Sequence, residues 1–271
     1  MKKIINFSQL KKLVISLLVK AENLNTRLLH HFLRIIVLLG GMIAVTGIAY
    51  AQDAIDQVDL KKIKQKKVRS FIRQQQKKDI STFAELETSV NVNDEMIDFM
   101  NYEKEYLVKE GCDFVWDNYR YSSQTDVWDL NKISFAFLFC CESESIIYAN
   151  QYFYGLEEGQ IFYLNLKIMN GFYNVPVAFK IMNVDPEKKL IEFSYLKGGK
   201  AIGKQSIQLE ETEEGYTRIV HKSFVKSDSK FRDKYLYPYF HNKLINEFHS
   251  NMKKLIVRSS KAPGIIFAEL K

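Results

Sequence analysis

From residue 112 onward the chain alternates apolar and polar positions in short runs separated by turn residues. The runs are 112–121, 133–141, 145–154, 159–169, 173–184, 189–197, 203–210 and 216–226. Between them lie Glu157-Glu158-Gly159, Asn170-Gly171, Asp185-Pro186, Gly198-Gly199 and Glu213-Glu214-Gly215. Period-two alternation broken by such residues predicts strands, and the short links predict antiparallel pairing of neighbours.

The charged positions say which face is buried. Arg218, Lys222 and Lys226 share one face of 216–226, so Thr217, Ile219, His221, Ser223 and Val225 face the core. By the same rule Lys180 turns Val175, Val177, Phe179 and Ile181 inward, and Glu192 turns Ile191, Phe193 and Tyr195 inward. Lys204 stands opposite Gln205, Ile207 and Leu209, and Lys167 stands opposite Phe162, Leu164, Leu166 and Ile168.

Period 3.6 replaces period 2 after 226. Leu236, Phe240, Leu244, Phe248, Met252 and Leu255 form one stripe about five turns long. Ser227-Asp228-Ser229 offers caps, and Pro238 suits a first helical turn. A second helix is predicted over 94–109, capped by Asn93 or Asp94 and followed by Gly111. A long amphipathic helix after a curved antiparallel sheet buries its stripe on the concave face. The predicted fold class is α+β: a curved antiparallel sheet of about seven or eight strands gripping a long C-terminal helix, preceded by N-terminal helical segments.

Charge changes the picture of the N-terminus. The 271 residues carry 39 Lys+Arg and 32 Asp+Glu, a net of +7. Residues 1–51 hold seven basic residues and one acid, and residues 52–80 hold nine basic residues and four acids. The remainder is therefore mildly acidic, and the basic charge belongs to the N-terminal part. Within it, 35–51 (IIVLLGGMIAVTGIAYA) is apolar, ends in Ala49-Tyr50-Ala51 and is followed by Asp53, Asp56 and Asp59. The pattern predicts either a signal peptide cleaved before Gln52 or a retained membrane anchor. The expected place is the periplasm or cell envelope, free or anchored in the inner membrane. The expected divisions are 1–51 as leader or anchor, 52–92 as a basic polar linker, 93–260 as the folded domain and 261–271 as a tail. The basic segment 61–78 could also adhere to anionic lipid. No nucleic-acid partner is expected.

Three cysteines, Cys112, Cys140 and Cys141, suit neither a disulfide framework nor a zinc site. They are expected as buried free thiols, with a bridge from Cys112 to one of the pair left open. No G-x-G-x-x-G, P-loop, H-E-x-x-H or G-x-S-x-G motif occurs. No cofactor and no metal is expected, and His241 and His249 stand too far apart on a helix to hold one ion together. Tyr195, Gln205 and His221 are the polar groups expected to converge in an apolar interior, where such groups orient a ligand. The enzyme alternative makes His221 a general acid/base poised near neutral pH. Arg232 and Asp233 either pair or leave Arg232 to clamp a carboxylate.

The strand order, the stretch IEFSYLKGGKAIGKQSIQLEETEEGYTRIVHKSF (191–224) and the terminal helix resemble the START-like superfamily of polyketide cyclases, lipid-transfer domains and Bet v 1-like proteins. Val115-Trp116-Asp117 and Val127-Trp128-Asp129 resemble the VWD found early in many members. A helix pair usually follows the first strand of such domains; here 121–132 is short and polar. The resemblance implies a largely apolar cavity between sheet and helix for a lipid, sterol, polyketide or similar ligand. The expected lining is Phe162, Leu164, Phe179, Phe193, Tyr195, Gln205, Ile207, His221, Phe240, Leu244 and Phe248. An envelope interaction protein whose cavity is filled by its own Phe and Tyr side chains is the remaining alternative.

Overall fold

The computed structural model describes residues 54–261 apart from 79, 129, 170, 228, 230–232, 235 and 236. The leader or anchor at 1–51, His30 and His31, Arg232 and the tail beyond 261 lie outside the described residues. Among the described residues no helix is long and apolar enough to cross a membrane.

Eight strands form one antiparallel sheet: β1 (Met100–Val108), β2 (Ile133–Cys140), β3 (Ser145–Tyr148), β4 (Ile161–Ile168), β5 (Tyr173–Asp185), β6 (Leu190–Tyr195), β7 (Ile202–Glu211) and β8 (Thr217–Lys226). Their order is β1-β8-β7-β6-β5-β4-β2-β3. The last long strand is thus covered by the first one, with His221 opposite Lys104 and Ile207. The helices are α1 (Lys66–Gln76), α2 (Cys112–Tyr121), α3 (Gln124–Trp128) and α4 (Tyr237–Lys261).

The strand runs from 133 to 226 form close to where predicted, because each is bounded by local turn chemistry, except that 145–154 is strand only over Ser145–Tyr148. Two predictions nearer the N-terminus reverse. Residues 94–109 do not make a helix: Met100–Val108 is a strand, its faces alternating half-buried and exposed. Glu, Lys and Met favour helix locally, but pairing with β8 along the whole strand outweighs that preference. Residues 112–121 do not make a strand. Cys112, Val115, Trp116 and Tyr119 are buried on one helical face of α2, at intervals of three and four. Trp116 and Asp117 therefore belong to a helix, and α2 with α3 forms the helix pair that 121–132 seemed too short to supply. This pair carries the chain from one edge of the sheet towards the other.

The concave face packs against α2, α3 and α4 through a cluster that includes Trp116, Phe135, Phe162, Phe179, Phe193, Phe248 and Met252. Backbone N–H groups of Asn131 and Lys132 donate to the Glu247 carboxylate at 3.1 and 3.0 Å. The Asn251 amide donates to the carbonyls of Asp126 and Val127. These bonds pin α4 to the segment that enters β2.

The convex face is covered as well, and by the residues expected to be a linker. Ile55, Val58, Ile63, Val68, Ile72, Phe83 and Leu86 are buried against Ala136, Phe137, Phe139, Tyr163 and Ala178. Phe83 stacks on Phe139 with ring centroids 4.2 Å apart. The Tyr163 hydroxyl donates to Gln75 at 3.0 Å, and the Gln65 amide donates to the Phe135 carbonyl at 2.8 Å. Residues 54–86 are thus an integral layer of the domain, with the basic side chains of 61–78 on its outer side. Burial of seven apolar side chains, each contributing about 1.5–3 kcal/mol relative to exposure, is what holds this layer down.

Candidate ligand cavity

The sheet leaves part of β5 without a neighbour on the β6 side. β6 pairs with β5 only from Phe179 to Asp185, so Tyr173–Val177 pair on the β4 side alone. Pro176 sits in this stretch, where its missing N–H costs no ladder bond on the free side. The chain from Leu196 to Ala201 then turns away before β7. Between this opening and the first turns of α4 lies an outer chamber of about 1220 Å³. Its apolar wall includes Ile168, Val175, Val177, Phe240 and Leu244.

A deep chamber continues inward between the sheet and α4. Ten of the eleven residues expected to line the cavity do line it: Phe162, Leu164, Phe179, Phe193, Tyr195, Gln205, Ile207, His221, Leu244 and Phe248. Phe240 lies at the outer chamber instead. Leu166, Val177, Tyr195, His241 and Leu244 border both spaces. The deep chamber is small, about 120 Å³. Trp128 stacks on Phe248 at 4.6 Å, and Phe179 packs on Phe162 and Phe193 at 5.1 and 4.9 Å, so aromatic rings fill most of it.

One continuous chain of hydrogen bonds crosses the deep end. The Gln205 carbonyl oxygen can only accept, so His221 Nε2 carries the proton of their 2.8 Å bond. His221 Nδ1 must then accept, and His249 Nε2 donates to it at 2.7 Å. His249 Nδ1 in turn accepts from the Tyr119 hydroxyl at 2.7 Å. At the other end the Gln205 amide donates to the Tyr195 hydroxyl, and Ser223 donates to the Gln205 carbonyl at 3.2 Å. Tyr106 stacks on His249 at 4.2 Å.

This chain is neutral. Burial holds His249 down to about 3, and burial together with the neighbouring His249 and His241 holds His221 well below its ordinary value. Burial likewise pushes Tyr119 well above the ordinary phenol range and raises Tyr195. The expectation that His221 is poised near neutral pH is therefore reversed. Low dielectric without a facing carboxylate disfavours the imidazolium. Both His221 nitrogens are also engaged inside the protein, which leaves none for a substrate.

His241 is different. It is 6% exposed, borders both chambers, and neither of its ring nitrogens has a hydrogen-bond partner among the described residues. Burial, with Lys104 nearby, holds it down to about 4. Its ring stacks on Tyr237 at 4.8 Å. The buried Tyr237 hydroxyl faces that of Tyr195, and with burial this contact pushes Tyr237 well above the ordinary phenol range. The stripe predicted through Leu236, Phe240, Leu244, Phe248, Met252 and Leu255 leaves out His241 and His249. The buried face instead runs through His241, Ile245, Phe248, His249, Met252 and Ile256. That spacing of four, three, one, three and four is present in the sequence, but the neighbouring stripe through Phe240 and Leu244 is more apolar and masks it.

Among the described residues no group of His, Cys, Asp and Glu could hold a metal ion. None of Cys112, Cys140 and Cys141 is in a disulfide, so Cys112 forms no bridge; Cys141 is exposed rather than buried and donates to the Gly159 carbonyl. Asp233 accepts from the backbone N–H and hydroxyl of Ser227, closing the turn that follows β8.

No family model and no curated protein matches the chain. Among solved structures, norcoclaurine synthase from Thalictrum flavum in complex with dopamine and hydroxybenzaldehyde is similar at 14% identity. That alignment covers 60% of this chain and 90% of that one, with a TM-score of 0.44. The Zhui aromatase/cyclase from Streptomyces is similar at 12% identity, over 61% of this chain and 98% of that one, with a TM-score of 0.44. Major latex-like protein 151 from Panax ginseng is similar at 11% identity, over 58% and 96%, with a TM-score of 0.43. These are Bet v 1-like, START-like proteins, and the likeness is one of general architecture. At such identities and scores it carries no argument about activity; the α+β helix-grip architecture rests on the chain's own strand order and on the helix lying across it.

Proposed function

We propose that this chain is a binding protein for a hydrophobic small molecule or lipid that carries one hydrogen-bonding polar end. The apolar body occupies the outer chamber, against Val175, Val177, Phe240 and Leu244. The polar end reaches the pair formed by His241 and Tyr237. The observation that carries this reading is His241, buried with two unpartnered nitrogens at the junction of the chambers. A buried polar group without a partner costs about 1–3 kcal/mol, which a ligand hydroxyl, carbonyl or carboxyl offsets on binding. The outer chamber, at about 1220 Å³, is somewhat larger than the range of about 300–1,000 Å³ usual for ligand sites, whereas the deep chamber alone, at about 120 Å³, falls below it.

Native mass spectrometry of the purified protein, followed by extraction, tests this reading. A co-purified lipophile, or displacement of a fluorescent fatty-acid probe by a specific compound class, is expected. A ligand-free protein that binds no lipophilic probe sinks it.

A second reading, an envelope interaction protein with a self-filled cavity, is favoured by the aromatic packing of the deep chamber. Cross-linking in intact cells tests it. The pattern of 35–51 supports export with cleavage, or anchoring in the inner membrane, as the place where either function is performed. N-terminal sequencing of the mature protein and a phosphatase fusion check this. Recovery of an intact N-terminus in the soluble cytoplasmic fraction would overturn it.

A further inference from the structure

The mouth of the outer chamber has an unusual surface. The β4–β5 hairpin projects Met169, Phe172 and Tyr173 into solvent, Phe172 at 89% exposure, and Tyr239 of α4 is exposed beside them. Met169, Tyr173 and Tyr239 also line the chamber. The hairpin is internally braced: the N–H groups of Gly171 and Phe172 donate to Ile168 and Met169, and the Asn174 amide donates to Gly171. Its tip therefore presents large apolar side chains from an ordered turn. Exposed apolar groups at one spot mark a contact surface rather than a chance feature.

Charge surrounds this tip. Lys132, Lys167, Lys200 and Lys243 line the same mouth, and among the described residues no carboxylate does. Lys167 donates to the Leu130 carbonyl and Lys243 to the Tyr239 hydroxyl, both neutral groups that leave the positive charge uncompensated. Lys132 has an acid nearby, with Glu247 at 3.7 Å. Aromatic and apolar side chains set among lysines match the boundary between lipid headgroups and acyl chains.

We propose that the mouth of the cavity docks onto an anionic membrane surface, with Phe172 and Met169 entering the lipid and the four lysines meeting the headgroups. The cavity opening then faces the bilayer, so an apolar ligand passes between lipid and protein without crossing water. The position of the outer chamber directly behind the tip links the two. This docking goes beyond ligand binding and can fail or succeed independently of it.

The test uses the full chain with a local optical probe, so that the N-terminal apolar segment does not decide the result. F172W places an indole at the hairpin tip, while Trp116 is buried and Trp128 is packed in the core. Y152W, at an exposed position in the β3–β4 loop, is the control. Vesicles of phosphatidylcholine, or of equal parts phosphatidylcholine and phosphatidylglycerol, contain brominated acyl chains as quenchers. The expected result is strong quenching and a blue shift for F172W in anionic vesicles, and neither for Y152W. Changing Lys167 and Lys200 to Gln is expected to raise the lipid needed for half-maximal quenching by about 25-fold, at about 1 kcal/mol per lysine. Quenching of F172W no greater than that of Y152W overturns the proposal. So does equal quenching in neutral and anionic vesicles. Binding of the fatty-acid probe in vesicle-free solution is measured on the same variants. Its loss without loss of quenching counts against the ligand reading alone.

Discussion

His249 Nε2 donates to His221 Nδ1 across 2.7 Å, and this bond joins the long helix to the centre of the β7–β8 pair. Every member of the chain through Tyr119, His249, His221 and Gln205 has a partner, so the helix is held at one rotation and one depth. His221→Leu removes a donor and an acceptor together. It leaves the His249 Nε2–H without an acceptor in a dry interior and takes from the Gln205 carbonyl the shorter of its two hydrogen bonds, and the expected cost is about 2–4 kcal/mol. Urea unfolding at neutral pH checks this; a loss below about 0.5 kcal/mol would show that the network contributes nothing.

The same histidines set the acid limit of the fold. His249, His241 and His221 have folded values depressed by burial, to about 3, to about 4 and well below ordinary. A depressed histidine binds its proton first in the unfolded chain. Stability is therefore complete above the unfolded value of about 6.5 and declines as pH falls from there towards the folded values. Each of the three removes about 1.4 kcal/mol per pH unit in that window while it stays neutral in the fold. Denaturation midpoints at pH 7.5, 6 and 5 should fall in that order. A flat profile would mean that water reaches the three rings.

His241→Phe separates stability from binding. It keeps a ring to stack on Tyr237 and removes two unpartnered nitrogens. The expected outcome is a gain of about 1–3 kcal/mol in stability with loss of probe affinity. A stable variant that still binds the probe as wild type does would exclude His241 as the polar contact.

Phe83→Ala tests the convex layer. Phe83 is fully buried against Phe137, Phe139 and Tyr163. The expected loss is about 3–5 kcal/mol, as for a large core residue. A true linker residue would change stability by no more than about 0.5 kcal/mol.

Gly203→Ala tests the start of β7. Gly203 has a φ of 138°, and an added Cβ would stand 1.9 Å from the Phe224 carbonyl oxygen. The two strands cannot keep their register around it. The expected result is a fall in melting temperature with local loss of protection in amide exchange at β7 and β8; unchanged protection there would refute it.

Several elements were legible without the fold, and the reason is local. The strands from β2 to β8 are bracketed by turn residues, and from β4 to β8 at least one charged position per strand reveals which face turns outward. That is why the inward set from Phe162 to His221 was read correctly. The α2 helix was legible in principle through Cys112, Val115, Trp116 and Tyr119, but its aromatic content imitates a strand. β1 was not legible, because Met100–Val108 takes its form from β8 more than a hundred residues away.

The covering of the convex face had a signal that went unused. β2 reads ISFAFLFC and is buried at every position, and Ile161 and Tyr163 are as buried as Phe162 and Leu164. A strand apolar on both faces needs a layer on both faces. The sequence alone determined the strands from β2 to β8, the inward faces of β4 to β8, the terminal helix and the dry interior, because periodicity and turn chemistry act over a few residues. Only the tertiary structure decided that residues 54–86 supply the second layer, that α4 turns His241 and His249 inward, and that β5 is left partly unpaired to open the chamber. Those outcomes depend on which surfaces meet across long sequence separations, and no local pattern carries that information.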